Sequence, residues 1–420
     1  MNRPDYDVAI LGAGLAGLSL AVRLAAPRFA ALRVLIVEPR TAYRRDRTWS
    51  YWALQTHPFE DAVAHRWDRW MVAGHGREVV QGVPGLQYAS IPSDAFYRLA
   101  LQRVRAAPHI DLRLGTAAEA AEENGCVRIR LPDGTVRAAL AFDTRPPPGI
   151  GGHGLTQAFL GQEIETEAPV FDPGTVTLMD FRCPQADAAH FTYVLPTSPR
   201  HALVEDTWFA PAGLRPPDHR AAIRAYMAER HGVHRFTVGF EERGALPMDP
   251  MFQPRPGTRL LPLGTAGGAT RPSTGYAFNA IQARCDAVAA DLASGWAAGR
   301  LPQPARPRPG LVRYMDRVLL HLLEGRPALA PRVFSALFAG CPPRALVRFL
   351  NDSAGPVDRA AVAAAIPLLP ALGAAARMAA RGMEWPHPAA AGPRRRSGPD
   401  PHASLHQERC RPGGTRTVNT

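Results

Sequence analysis

Two adjacent carboxylates, Glu205 and Asp206, stand inside an otherwise apolar run, HALVEDTWF, at residues 201–209. Burial disfavours the charged form of a carboxyl group, so a carboxyl held among apolar side chains keeps its proton toward neutral pH and can serve as a general acid or base. Neighbouring strand residues point to opposite faces, so only one of the two can face a given pocket. On these residues alone, a solvated strand end with both carboxylates in water is the competing reading. A second chemical signature is Gly12-Ala13-Gly14-Leu15-Ala16-Gly17, a GxGxxG between an apolar run and a helical one. In that pattern Gly12 permits the tight turn, Gly14 lets backbone approach a pyrophosphate, and Gly17 lets helix and strand pack closely. Glu38, about twenty residues beyond the last glycine, is placed to accept hydrogen bonds from adenosine ribose hydroxyls. Strand, glycine turn, helix and acidic residue together indicate dinucleotide binding.

The elements that must position these groups follow from periodicity. Residues 7–10, 15–26 and 33–38 read as strand, helix and strand, the start of a parallel sheet. Alternating runs at 109–143 with Pro132-Asp133-Gly134 between two of them predict a hairpin. Beyond Arg145-Pro146-Pro147-Pro148-Gly149, the runs VTLMDFR, HFTYVLPTS and HALVEDTWF are spaced as an antiparallel sheet. A helix is expected over 218–230, and strand, glycine turn and helix return from about residue 260. The expected fold is therefore α/β: a Rossmann-type nucleotide-binding domain formed by 1–150 and 250–300, an antiparallel substrate sheet at 151–249, and a helical region at 301–385. Residues 386–420 are poor in apolar side chains and rich in Pro, Gly and Arg, the composition of a disordered tail.

Composition narrows the class. The 420 residues carry a net charge of +12, but every basic residue is Arg, and the tail alone holds six Arg against one Asp and one Glu. With about a third of the charge outside the folded body and no basic-aromatic block, a nucleic-acid partner is not expected. The five cysteines form no CxxC pair, and the fourteen histidines form no triad or metal spacing, so no metal site is expected. No signal peptide is expected ahead of the first strand, and cysteine usage suits a cytoplasmic protein. The stretch 360–376 is apolar but short and interrupted by Pro367 and Pro370, which suits a buried or interfacial helical hairpin better than a span.

The second glycine segment, Leu263-Gly264-Thr265-Ala266-Gly267-Gly268 leading through Pro272 and Gly275 into a helix, resembles the flavin hydroxylase group. The resemblance implies FAD, with Gly264, Gly267 and Gly275 near the ribityl chain and ring system. That group usually has Asp where this chain has Thr265.

Five segments together resemble the bacterial lycopene beta-cyclases over about residues 5–385: the fingerprint with Glu38, Arg47-Thr48-Trp49-Ser50-Tyr51-Trp52, Gln157-Ala158-Phe159-Leu160-Gly161-Gln162-Glu163, Leu203-Val204-Glu205-Asp206-Thr207, and Arg271-Pro272-Ser273-Thr274-Gly275-Tyr276. Members of that family often carry His and Thr where this chain has Arg271 and Ser273, and Ser-Leu-Pro where it has Ala277-Phe278-Asn279. The resemblance implies protonation of a terminal double bond of lycopene, ring closure and proton loss, giving beta-carotene by way of gamma-carotene. It makes Glu205 the acid or base with Asp206 as its catalytic neighbour. Reduced FAD would be present but not consumed, and NADPH or NADH would keep it reduced. Trp49, Tyr51, Trp52 and Tyr276 are candidates to line a tunnel for the polyene, although so dense an aromatic group is equally at home in a core. Lycopene resides in membrane, so peripheral contact with the inner membrane is expected; the helices within 311–350 would make it, or else would close the core. A flavin monooxygenase and a flavin-binding carotenoid carrier remain as alternatives.

Overall fold

The computed structural model describes residues 3–146, 154–185, 187–211, 214, 218–248 and 257–367, together with 373 and 375. The predicted tail at 386–420 lies outside the described residues.

The first sheet grows from the Tyr6–Leu11 strand, which pairs in parallel with Val34–Glu38 on one side and Gly134–Asp143 on the other. Ile110–Leu114 extends the parallel array beyond Val34–Glu38, and Leu260–Pro262 adds to the far half of Gly134–Asp143. Strands buried on both faces read as continuous apolar runs rather than alternating ones, and all five residues of Val34–Glu38 are buried. The Asp133-Gly134 turn joins Cys126–Leu131 to Gly134–Asp143 in the predicted hairpin. Helices Leu15–Leu24, Ser93–Arg105 and Phe278–Gly295 pack one face around Leu18, Phe96 and Ile281.

The second sheet has seven strands, ordered Thr237–Met248, Leu155–Glu165, His201–Pro211, Ala189–Pro196, Thr175–Asp180, Arg69–Gly74 and Arg77–Gly82. Its last two strands come from within 1–150, so the expected boundary misses them: they join through a parallel pairing of Arg69–Gly74 with Thr175–Asp180, a contact no local pattern encodes. One face is covered by helix His219–His231, which packs Ile223, Tyr226 and Met227 on Leu160 and Val204. The predicted start of that helix is borne out by Asp218, whose side chain caps it by accepting from the Arg220 N–H.

The other face meets a three-stranded sheet of Thr48–Trp52, Tyr88–Pro92 and His65–Trp67, and the helices Gly310–Gly325, Ala330–Gly340, Pro343–Leu350 and Pro356–Ala365. Of the two readings of these helices, the buried faces follow the second: Leu320, Leu323, Phe334 and Leu346 close this core. Within 360–376, residues 360–365 complete the Pro356–Ala365 helix. Among the described residues, no helix is long and apolar enough to cross a membrane.

Candidate active site

Strand alternation separates the two carboxylates as expected. Glu205 shares the face of Leu203 and Phe209, which look into the core between the sheets, while Asp206 shares that of Val204 and Trp208. Glu205 is buried, and Thr207 Oγ1 donates to its Oε1 at 2.7 Å. Burial first, and then the carboxyl of Glu242, push Glu205 up to about 8, against the opposing effect of the Thr207 hydroxyl.

Glu242 had no part in the sequence reading, because EERGALPM reads locally as a charged strand. Register brings it in: Gly161 pairs with Glu205 on one side and with Glu242 on the other. Glu242 is itself buried, accepts from Thr48 Oγ1 at 3.0 Å, and is pushed up to about 7 by burial despite that hydroxyl and the nearby Arg45 and Arg47.

The row continues from Glu205 to Tyr193, its partner on the next strand. Tyr88 OH lies 3.1 Å from Tyr193 OH and 3.2 Å from Tyr276 OH, and burial holds all three phenols well above the ordinary range. Trp52 packs edge-on against Tyr88 and Tyr276. Trp52 and Tyr276 therefore stand in the aromatic group beside Glu205. Trp49 and Tyr51 do not: Trp49 packs on Phe96 and Tyr97, and Tyr51 stacks on Phe278 and bonds His57 at 2.6 Å, both in the nucleotide-domain core. In a strand the five-residue run TWSYW splits between two faces.

Asp206 faces away from this aromatic group. His190 Nε2 lies 2.5 Å from its Oδ1, and His219 Nδ1 and Trp208 Nε1 reach its Oδ2 at 2.6 and 2.9 Å. Burial opposes ionisation here, but these hydrogen bonds and the His190 charge outweigh it and hold Asp206 below the usual range. That is the environment of a permanent anion, so Asp206 is placed as an anchor of the strand rather than a proton donor.

The glycine turn lies between the Tyr6–Leu11 strand and the Leu15–Leu24 helix. Gly12 adopts φ 94°, and a Cβ on Gly17 would lie 2.0 Å from Gly12 O, so turn and helix meet without room for a side chain. The nearest atom to a Cβ position on Gly14 is Arg40 Nη2 at 3.9 Å, which leaves its backbone open. The Leu15–Leu24 helix starts there with no side-chain cap and no acidic residue in its first turn, the arrangement that accepts a diphosphate. Glu38 ends its strand as expected, and its carboxylate receives Ala13 N at 2.7 Å, Arg40 N at 3.0 Å and the Arg40 guanidinium. The second segment docks on the first: Gly264, at φ 70°, would place a Cβ 2.5 Å from Ala16 Cβ, and Gly267 a Cβ 2.8 Å from Pro262 O. Gly275 abuts the second sheet, where a Cβ would lie 2.7 Å from Gln157 Oε1. Gly17, Gly264, Gly267 and Gly275 thus let turn, helix and sheet pack closely, while the open Gly14 backbone at the uncapped helix start is the part that fits the diphosphate of a dinucleotide such as FAD.

Arg271 and Ser273, the two departures in the last segment, act together. Arg271 Nη2 and Ser273 Oγ both donate to Asp316 Oδ1, at 2.9 and 2.7 Å, and Arg271 Nη1 donates to Phe349 O. They tie the glycine segment to the C-terminal helices.

Comparison with known proteins completes the description. A family model described as "Lycopene cyclase protein" matches residues 7–376. A lycopene beta-cyclase of Pantoea ananas is 29% identical over 399 residues, covering 89% of this chain and 97% of that protein. One from Paracoccus sp. (strain N81106 / MBIC 01143) is 30% identical over 312 residues, covering 68% and 73%. Among solved structures, a geranylgeranyl bacteriochlorophyll reductase-like protein from Thermoplasma acidophilum aligns with a TM-score of 0.56 at 14% identity, covering 90% of this chain and 97% of that one. Aklavinone-11 hydroxylase, solved with FAD and aklavinone, aligns with a TM-score of 0.52 at 19% identity over 77% and 68%. These likenesses identify the fold as that of FAD-dependent hydroxylases and reductases.

Proposed function

The chain belongs to the lycopene cyclase family, and from that premise we propose that it is a lycopene beta-cyclase, converting lycopene by way of gamma-carotene to beta-carotene. The observation that carries this reading is the buried Glu205 carboxyl, raised to about 8 in an aromatic surround and therefore an acid at neutral pH. An isolated alkene is a very weak base, so its protonation needs an acid kept in its protonated form in a dry place. Glu205 meets both needs. It gives its proton to the terminal double bond, the neighbouring double bond attacks the tertiary cation, and loss of a ring proton leaves the beta ring.

Tyr88, Tyr193, Tyr276 and Trp52 exclude water from the cation and offer it the negative faces of their rings. Gly12, Gly14, Gly17 and Glu38 would hold the adenosine diphosphate part of FAD, and Gly264, Gly267 and Gly275 its ribityl and ring part. When bound and kept reduced by NADPH or NADH, FAD supplies negative charge beside the cation and is not consumed, because substrate and product are isomers. Lycopene is reached from the cytoplasmic face of the inner membrane by peripheral contact, for which Leu311, Tyr314 and Val357 are exposed on the helical region at 56%, 47% and 82%.

The test is product analysis of lycopene-accumulating cells expressing the chain, beside anaerobic turnover by the purified protein with reduced FAD. Cyclised products in both, lost in Glu205→Gln, support the reading. Full cyclisation by Glu205→Gln removes Glu205 from it, and NADPH-coupled oxygen consumption with no ring formed points to a monooxygenase.

A further inference from the structure

The cyclase reading employs one carboxyl, yet the sheet presents two. Glu242, Gly161, Glu205 and Tyr193 form one row across four adjacent strands, all on the face that looks into the core. Gly161 is the floor between the carboxyls. A Cβ there would lie 3.3 Å from Glu242 Cγ, 3.6 Å from Glu205 Cβ and 3.2 Å from Leu203 Cδ1, so any other residue would put a side chain between the two acids.

Each carboxyl is anchored through one oxygen, Glu205 Oε1 by Thr207 and Glu242 Oε2 by Thr48. Among the described residues, the side-chain hydrogen bond to each carboxyl comes from its threonine, and neither glutamate has an ion-pair partner. Two carboxyls buried side by side without a paired cation are costly to a fold, and they cannot both ionise freely. A pair that carries one proton offers an acid beside a base.

We propose that Glu242 is the second proton-transfer residue of the site: Glu205 gives a proton to the terminal double bond of the polyene, and Glu242 takes the proton lost when the ring is complete. This rests on the cyclase reading. The balance closes without an oxidant or reductant. The Glu205 O–H bond breaks as a C–H bond forms at the chain terminus, and the electron pair of the neighbouring double bond makes the ring C–C bond. A ring C–H bond then breaks, its electrons become the new ring double bond, and the proton goes to Glu242. Transfer of that proton across the Gly161 floor to Glu205 restores the starting state, so no exchange with solvent is needed between the two ring closures.

The other titratable groups around the pair are few. Tyr88, Tyr193 and Tyr276 face Glu205, with Asp206 behind it on its own strand; Arg45, Asp46 and Arg47 stand beyond Thr48 on the Glu242 side. Removing the Glu242 charge therefore removes the main anion that holds the Glu205 proton.

The experiment compares the flavin-loaded wild type with Glu242→Gln, Glu242→Asp and Glu205→Gln on lycopene. In Glu242→Gln, kcat should fall about 100-fold, the low end for loss of a general base. The alkaline limb of its kcat/KM profile should move to lower pH, and part of the product should carry the ring double bond at other positions, as the cation sheds its proton without a placed base. Glu242→Asp keeps the charge and withdraws the carboxyl by one methylene; it should keep the wild-type alkaline limb and lose about tenfold in kcat, and it decides the matter if Glu242→Gln fails to fold. Wild-type kcat, pH profile and products in Glu242→Gln, or wild-type kcat in Glu242→Asp, beside an inactive Glu205→Gln, overturn the pair and leave the cyclase reading standing. A wild-type protein that leaves lycopene unchanged overturns the reading and the pair together.

Discussion

Glu205 has a cost in stability that its chemistry explains. Its folded pKa, about 8, lies above the ordinary 4.5, so the folded chain binds a proton more tightly than the unfolded one. Stability from this group is highest below about pH 4.5 and declines as pH rises through the window up to about 8, beyond which the buried carboxyl is charged. Glutamine keeps the shape without the charge. Glu205→Gln should therefore melt at the same temperature as wild type near pH 5 and above it at pH 8.5, by on the order of 3 kcal/mol, with cyclisation lost. Thermal melts across that range would show it; parallel pH dependences would mean that Glu205 is solvated. This residue was legible in sequence because an acid inside an apolar run is a local anomaly. Glu242 was not, since nothing within EERGALPM signals that two strand ladders carry it beside Glu205.

At the scale of elements, the His201–Pro211 strand is a partition with the buried Glu205 carboxyl on one face and the Asp206 hydrogen bonds on the other. Asp206 joins it to the neighbouring strand through His190 and to the first turn of the His219–His231 helix through His219. Because the Asp206 pKa is depressed, this contribution is present above the unfolded value and lost as pH falls below it. Asp206→Asn leaves two histidines facing an amide, and should lower stability at pH 7 by about 3 kcal/mol, the usual result of breaking a buried pair. Urea denaturation measures that loss, and a change below about 0.5 kcal/mol, as for an ordinary surface site, would refute the anchor. Alternation predicted that Glu205 and Asp206 must part. The same rule applied to Trp49, Tyr51 and Trp52 would have divided them between the nucleotide core and the pocket, where proximity in sequence had grouped them. The strands at 69–82 were assigned to the wrong layer for a different reason: their partner, Thr175–Asp180, is remote in sequence and the pairing is parallel.

Over the whole molecule, nucleotide site and pocket share their supports. The glycine segment at 264–275 rests on the first helix at Ala16, touches the second sheet at Gln157, and is latched through Arg271 and Ser273 to Asp316 of the Gly310–Gly325 helix. That helix belongs to the layer that closes the core beneath Glu205's sheet. A ligand that binds only the folded state adds about 2.7 kcal/mol at a hundredfold excess over its Kd, and it does so wherever the elements it braces would otherwise open. FAD held by the two glycine segments should therefore slow amide hydrogen exchange in the helices at 310–325 and 343–350 as well as around residues 12–17. Asp316→Ala removes the acceptor shared by Arg271 and Ser273, and should confine the protection to the nucleotide domain while lowering flavin affinity. Protection of the helices that persists unchanged in Asp316→Ala would show that the coupling runs through the packed sheet at Gln157 instead of the Arg271 latch.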